Sequence, residues 1–349
     1  MPGVRPRALA LTAATAALLT AACSSSSTPA AAPVTPAPPP TTVSPAPTPS
    51  PEPAEPAASF LTGRPDDKNG RVLVVKVDNS PAGRPHTGIS AADVVYLEPV
   101  EAGVTRLAAV FSSRLPPTVG PVRSARITDL GLFAQYGKVA FAYSGAQKKL
   151  EPAIARADLF EVHAEKGATR SGPGYSRSAQ RTAPLNLYGS PHDLLDRAPH
   201  AQKAHDIGFR FGPAVPGGRP ATSASTSFTA ARVAFTWSAE RERWRWVMDG
   251  KPAVESDGSP IEASTVVFQH VSTKRSEYSD FTGANTPYAK TTGSGRAVVL
   301  RDGEAQQVRW SRAKASAPTV FTKGSDRVTF ARGTTWVVLV AKKGKVTVS

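Results

Sequence analysis

The sequence predicts an α/β or α+β N-terminal domain followed by a mainly β C-terminal domain. Three observations carry this. Apolar runs of strand length alternate with helix-period segments up to about residue 211. Residues 212–228 are then dominated by Gly, Pro, Ser and Thr, the composition of a linker or long loop. Beyond them come short β-rich runs punctuated by Asp249-Gly250, Asp257-Gly258 and Asp302-Gly303, and Asp-Gly is a strong hairpin signal.

Taken in order, residues 1–22 read as an export signal. Arg5 and Arg7 make a basic start, and Ala8 to Ala22 is an apolar run too short to span a bilayer. The run ends in Leu19-Thr20-Ala21-Ala22-Cys23, which resembles the bacterial lipobox, with Thr20 standing where leucine is usual. That resemblance implies acylation of Cys23 and anchorage to the outer face of the cytoplasmic membrane; ordinary secretion is the alternative. Cys23 is the single cysteine, so no internal disulfide can form, and acylation would account for a lone exported thiol. Residues 23–58 form the tether: proline recurs among Ala, Thr and Ser, a composition that cannot bury a core. At about 3.1 Å per residue such a tether reaches on the order of 100 Å.

Arg71 to Asp78 predicts a buried strand, with turn chemistry from Asn79 to Pro85. Val94–Val100 and Val104–Ser112 predict strands joined at Gly103 by a tight turn or bulge. A helix is expected from Arg126 to Tyr136, on the spacing of Ile127, Leu130 and Phe133, stopping at Gly137. Val139–Tyr143 predicts a strand. Gln147–Ala157 predicts a helix that kinks or starts late at Pro152, and Leu159–Val162 a short strand. Residues 164–187 read as irregular. Ser190-Pro191 opens a helix expected to run to about His205. Residues 59–211 are therefore taken as the N-terminal domain and 229–349 as the C-terminal one. Strands in the latter are expected at Arg232–Trp237, Arg243–Met248, Thr265–Val271, Ala297–Leu300, Gln307–Trp310, Thr319–Thr322, Arg327–Phe330 and Trp336–Val340.

Several motifs occur in order along the chain: Val75-Lys76-Val77-Asp78-Asn79, Ala82-Gly83-Arg84-Pro85, Gly88 to Tyr96, Gly103-Val104-Thr105-Arg106, Gly120 to Arg126, Val308-Arg309-Trp310 and Gly333 to Trp336. On these motifs residues 60–345 resemble the YerB-like family of bacterial lipoproteins, two adjacent domains of unknown function. The resemblance implies a cell-envelope lipoprotein and carries no biochemical activity with it. The chain departs from the family pattern at Pro184-Leu185-Asn186, where Pro-His-Asn is expected, so no role built on that histidine carries over.

Charge and motifs narrow the chemistry. The formal charge is +15, and loss of Arg5 and Arg7 with the signal leaves about +13, which favours anionic surfaces. An exported chain without a nucleic-acid-binding motif points to an anionic cell-wall polymer or lipid-linked phosphate as partner, not to nucleic acid. There is no His-Glu-x-x-His, no Gly-x-Ser-x-Gly, no phosphate-binding glycine loop and no catalytic cysteine; no cofactor or metal is expected. The candidate ligand-binding residues are Arg106, Arg123 and Arg126, with Ser124 and Asn79 from the same motifs. Guanidinium forks match phosphate and carboxylate. Two readings stand: the arginines converge on an anionic ligand, or they pair internally with Glu98, Glu101 and Asp129. Glu98 and Glu101 are the alternative catalytic pair, acid and base of an envelope hydrolase or transferase; three residues apart on a strand, they face opposite sides unless Pro99 breaks it. Asp78, Asp93, Glu98 and Glu101 together could instead hold a hard cation, without motif spacing to support it. Trp244 and Trp246 share a strand face, which core packing explains better than sugar binding.

Overall fold

Runs of Val, Ile, Phe and Ala at strand length set the framework. The computed structural model describes residues 58–164, 172–280 and 282–349; the signal, Cys23 and the tether through residue 57 lie outside the described residues. The N-terminal half contains β1 (Leu73–Asp78), β2 (Val94–Pro99), β3 (Thr105–Phe111), α1 (Ile127–Phe133), β4 (Val139–Ala142), α2 (Glu151–Ala155), β5 (Leu159–Glu161), β6 (Tyr175–Arg177), β7 (Leu187–Gly189) and α3 (Pro191–Asp196). The C-terminal half contains β8 (Arg219–Pro220), β9 (Ser223–Phe228), β10 (Ala231–Ser238), β11 (Arg243–Met248), β12 (Lys251–Pro252), β13 (Glu262–Ala263) and β14 (Thr265–Ser279). It continues with β15 (Asn285–Lys290), β16 (Gly293–Arg301), β17 (Glu304–Arg312), β18 (Val320–Lys323), β19 (Asp326–Arg327), β20 (Thr335–Ala341) and β21 (Val346–Val348). The mixed N-terminal half and the strand-dominated C-terminal half match the expected fold class.

The two halves share one sheet. Among the described residues it runs β19-β18-β17-β16-β14-β20-β2-β3-β1-β4-β5, with β15 on β14 and β8 on β17. β20, from near the end of the sequence, lies between β14 and β2 and is parallel to both: Val337 sits opposite Val267 on one side and Tyr96 on the other. A second sheet, β12-β11-β10-β9-β21 with β13 on β11, covers one face. There Val75, Leu97, Phe111 and Phe268 pack with Phe235, Trp244, Trp246 and Trp336 in one core. The opposite face carries Val74, Tyr96, Val110, Val337 and Leu339, closed by Leu132, Phe133 and Tyr136 from α1 and the turn after it. Strands buried on both faces read as continuous apolar runs, as β1 and β3 do.

The departures from the sequence reading have local causes. The helix opened by Ser190 ends at Asp196, not near His205. Pro199 biases Ala198 away from the helical region. The Arg71 guanidinium takes the carbonyls of Leu195 and Ala198, and Val72 N–H bonds to the Gln202 carbonyl, so the segment runs along β1. Residues 223–228, placed in the linker, are β9. Their alternation hides in small residues, with Ala224 and Thr226 buried between exposed or half-buried serines. The stretch 164–187 contains β6 and the start of β7. Only Arg327 of the Arg327–Phe330 strand is in a strand; Phe330 makes a single bridge to Phe211.

Candidate functional site

One face of the sheet changes character along its strands. On β1, β2 and β3 the residues facing α1 begin as Val74, Tyr96 and Ala108 and become Lys76, Asp78, Glu98 and Arg106 toward one end. The register brings them side by side: Glu98 lies opposite Arg106, and Arg106 opposite Asp78. Period-two alternation thus puts four ionisable side chains on one face of the sheet, all buried.

Lys76 organises the innermost cluster. Its Nζ donates to Glu98 Oε1 at 2.7 Å and to Asp129 Oδ1 at 2.6 Å, and the three side chains are at most 1 % exposed. Asp129 also caps α1, its Oδ2 accepting the Arg126 N–H at 2.5 Å. One lysine cannot neutralise two carboxylates. Burial, and then the neighbouring Asp129 charge, push Glu98 up to about 8 against the pull of Lys76. Burial and the second carboxylate thus favour the protonated form of Glu98.

Residues 120–126 bring the arginines. Arg123 Nε donates to Asp78 Oδ2 at 2.9 Å. Arg126 meets Glu101 through Nε at 2.6 Å and Nη2 at 2.8 Å. Burial alone would raise Glu101; the Arg126 hydrogen bond and charge, with the Thr286 hydroxyl, outweigh it and hold the carboxyl below its usual range. Arg106 differs. It is 8 % exposed and donates to the Ser124 carbonyl at 3.2 Å, and among the described residues no carboxylate lies within ion-pair distance of it. Burial first, and then the charges of Arg126 and Arg123, lower it to about 9.

The structure therefore gathers the three arginines and splits the two glutamates. The internal partners differ from those the sequence offered. Arg126 does take Glu101, but Arg123 takes Asp78, while Glu98 and Asp129 go to Lys76. Glu98 and Glu101 sit in separate ion-pair clusters, because β2 ends at Pro99 and Glu101 enters a turn where Ala102 and Gly103 have φ of 55° and 74°. Ser124 lies between Arg106 and Arg126, its carbonyl shared by both. Asn79 does not join them. It points to the other core, donating to Thr105 Oγ1 at 2.7 Å beside Met248, with Oδ1 buried and unpartnered among the described residues. Asp93 is also remote, bonded to Ser112 and Ser113. Trp244 and Trp246 are fully buried, and the Trp246 ring packs at a tilt with its centroid 4.6 Å from that of Trp336, so they are core.

A pocket of about 330 Å³ opens against this cluster. Its walls come from three places: Glu101 and Ser124–Arg126; Ala146–Lys148; and Tyr278–Asp280 with Thr286 from the β14–β15 arm. Sequence reading missed Lys76 and His86. A lysine inside Val74-Val75-Lys76-Val77 was a readable signal, since a buried ammonium needs partners. His86 offered none: it is buried, stacks on Trp246 at 5.5 Å and is pushed down to about 4 by burial.

Comparison with known proteins gives the relationship. Residues 61–205 match the family described as "Protein of unknown function (DUF3048) N-terminal domain", and residues 224–337 its C-terminal domain. A Bacillus subtilis strain 168 protein named "Putative lipoprotein YerB" is 36 % identical over 111 residues, 30 % of this chain. That match spans about a third, 34 %, of the relative's length. The crystal structure of YerB protein from Bacillus subtilis superimposes with a TM-score of 0.69 at 21 % identity, over 83 % of this chain and 99 % of that one, a likeness of fold.

Proposed function

The chain belongs to the DUF3048 family, and from that premise we propose that it is an exported lipoprotein, held at the outer face of the cytoplasmic membrane by acylated Cys23, that recognises an anionic group of the cell envelope. The relative's lipoprotein name supports the anchor, as does the cysteine at the end of an export signal. The single observation that carries the ligand reading is Arg106. A buried guanidinium without a carboxylate, flanked by two more arginines, is electrostatically incomplete. An anion at the Ser124–Arg126 edge of the pocket would complete it, held by the fork of Arg126 and drawn by the charge of Arg106, which donates to the Ser124 carbonyl and does not itself line the pocket. The enzyme reading has one observation in its favour, the raised Glu98. That carboxyl is 1 % exposed and its charge partners are the equally enclosed Lys76 and Asp129, so binding is preferred.

Arg106→Met tests the reading. Pyrophosphate should raise the unfolding temperature of the parent protein and leave that of the variant unmoved. Without ligand the variant should be as stable as the parent or more so, because it removes an uncompensated buried charge. A strongly destabilised variant, or one that still responds to pyrophosphate, refutes the assignment. For the anchor, Cys23→Ala should move the protein from the membrane to the soluble fraction; retention after a high-salt wash would count against lipid attachment.

A further inference from the structure

A second, unrelated feature lies at the opposite part of the large sheet. Where the second sheet ends at β21, it parts from β16, β17 and β18 and leaves two adjoining hollows of about 450 and 680 Å³. They share Val298, Gln307, Lys323 and Val346, so they form one continuous cleft. Arg296, Arg309 and Lys345 line the first hollow, Arg219 the second and Lys323 both, while among the described residues no Asp or Glu side chain lines either.

The arrangement brings like charges together at an exposed surface. Arg296 and Arg309 are directly opposite on β16 and β17, and like charges at facing cross-strand positions repel. Among the described residues Arg296 reaches only the Lys342 carbonyl, at 3.4 Å, and Lys323 the carbonyls of Pro216 and Gly217, at 3.1 and 2.8 Å. Among the described residues none of the five has a carboxylate within ion-pair distance. The floor mixes Val298 and Val346 with Gln307, so uncharged units of a ligand would find both apolar and hydrogen-bonding surface.

We propose that this cleft binds a linear polyanion, a polymer with repeated phosphate groups separated by uncharged units. Two features favour a polymer over a single anion. The cations are spread along the cleft instead of converging on a point, and the joined hollows exceed what one phosphate fills. Ion pairing along such a chain depends on several separate contacts, so binding weakens steeply with salt. The site is independent of the Arg106 cluster.

The test uses the full chain and inorganic polyphosphate, measured by titration calorimetry at two salt concentrations. The Arg296→Glu/Arg309→Glu variant should bind at least tenfold more weakly and with a shallower salt dependence, whereas Arg106→Met should keep the parental affinity. The milder Arg296→Gln should also weaken binding while raising the unfolding temperature in the absence of ligand, since it relieves the facing repulsion. Unchanged polyphosphate affinity in the double variant overturns the proposal. So does parental binding to anionic lipid vesicles with none to polyphosphate, because the cleft would then serve a membrane surface. An Arg296→Gln protein that is destabilised and binds normally overturns it as well.

Discussion

At the residue scale the buried lysine decides how the rest of the charge is distributed. Lys76 takes two carboxylates that the sequence had offered to arginines, which frees Arg106 from internal pairing. The same cluster sets a pH dependence. An ordinary glutamate near 4.5 becomes, at Glu98, a group near 8. Between those values the folded protein keeps a proton that the unfolded chain has released, so stability falls as pH rises through this window. Asp93, raised to about 6 by burial, acts with the same sign over a lower window, and Glu101, held low, loses its contribution only in acid. Glu98→Gln is uncharged throughout and should flatten the decline between about pH 4.5 and 8. Unfolding temperatures of the two proteins measured across that range should diverge; parallel curves would show that Glu98 does not hold the proton. The arginine cluster was legible because each arginine borders Gly, Pro or an apolar run. Its partners were not, because cross-strand register, which sets Arg106 between Glu98 and Asp78, is not written in local sequence.

At the element scale the turn joining β2 to β3 fixes where the cluster lies. Glycine was expected there, and the reason is geometric: Gly103 has φ of 74°, and a Cβ on it would come 2.3 Å from the Thr229 Cβ. Its carbonyl accepts the Ala230 N–H at 3.0 Å, so the turn also holds the start of β10. Gly103→Ala should therefore cost about 1–3 kcal/mol in urea unfolding, from positive φ and steric contact together; a loss under about 0.5 kcal/mol would mean that the turn yields freely. Other elements escaped the sequence for identifiable causes. β9 is built of Ser, Ala and Thr, whose burial produces no apolar pattern. β15 carries a proline and pairs only with the extended part of β14, beyond the large sheet. The Arg312 side chain is 1 % exposed and donates to the Gly131 carbonyl near the end of α1, at 2.8 Å. A cation there suits the negative end of the helix, yet it comes from 181 residues away.

At the scale of the whole molecule, two domains of one family in sequence make one compact unit in structure. The sequence read a boundary at 212–228 from composition, and composition does shift there. What it could not show is that β20 inserts beside β2. The described residues fall within one compact unit, and both cores draw residues from each half. Removing the C-terminal half would strip β2 of its partner along Val94–Leu97 and leave an apolar edge with unpaired N–H and C=O groups. It would also uncover Leu97 and Val95, which share their core with Trp246, Trp336 and Phe268. Among the described residues, every strand of that sheet lies within 59–349, whereas the first 58 residues carry no apolar pattern in sequence beyond the export signal. Residues 59–349 should thus unfold in one transition, coincident by tryptophan fluorescence and far-ultraviolet circular dichroism. The five tryptophans all lie in the C-terminal half, so their fluorescence reports on that half, whereas far-ultraviolet circular dichroism reports on the backbone of both halves, including the helices that among the described residues lie in the N-terminal half. Residues 59–211 alone should aggregate or lack a cooperative transition. Two resolved transitions, or a soluble and cooperatively folding 59–211 fragment, would mean that β20 merely docks on a half that is already stable without it.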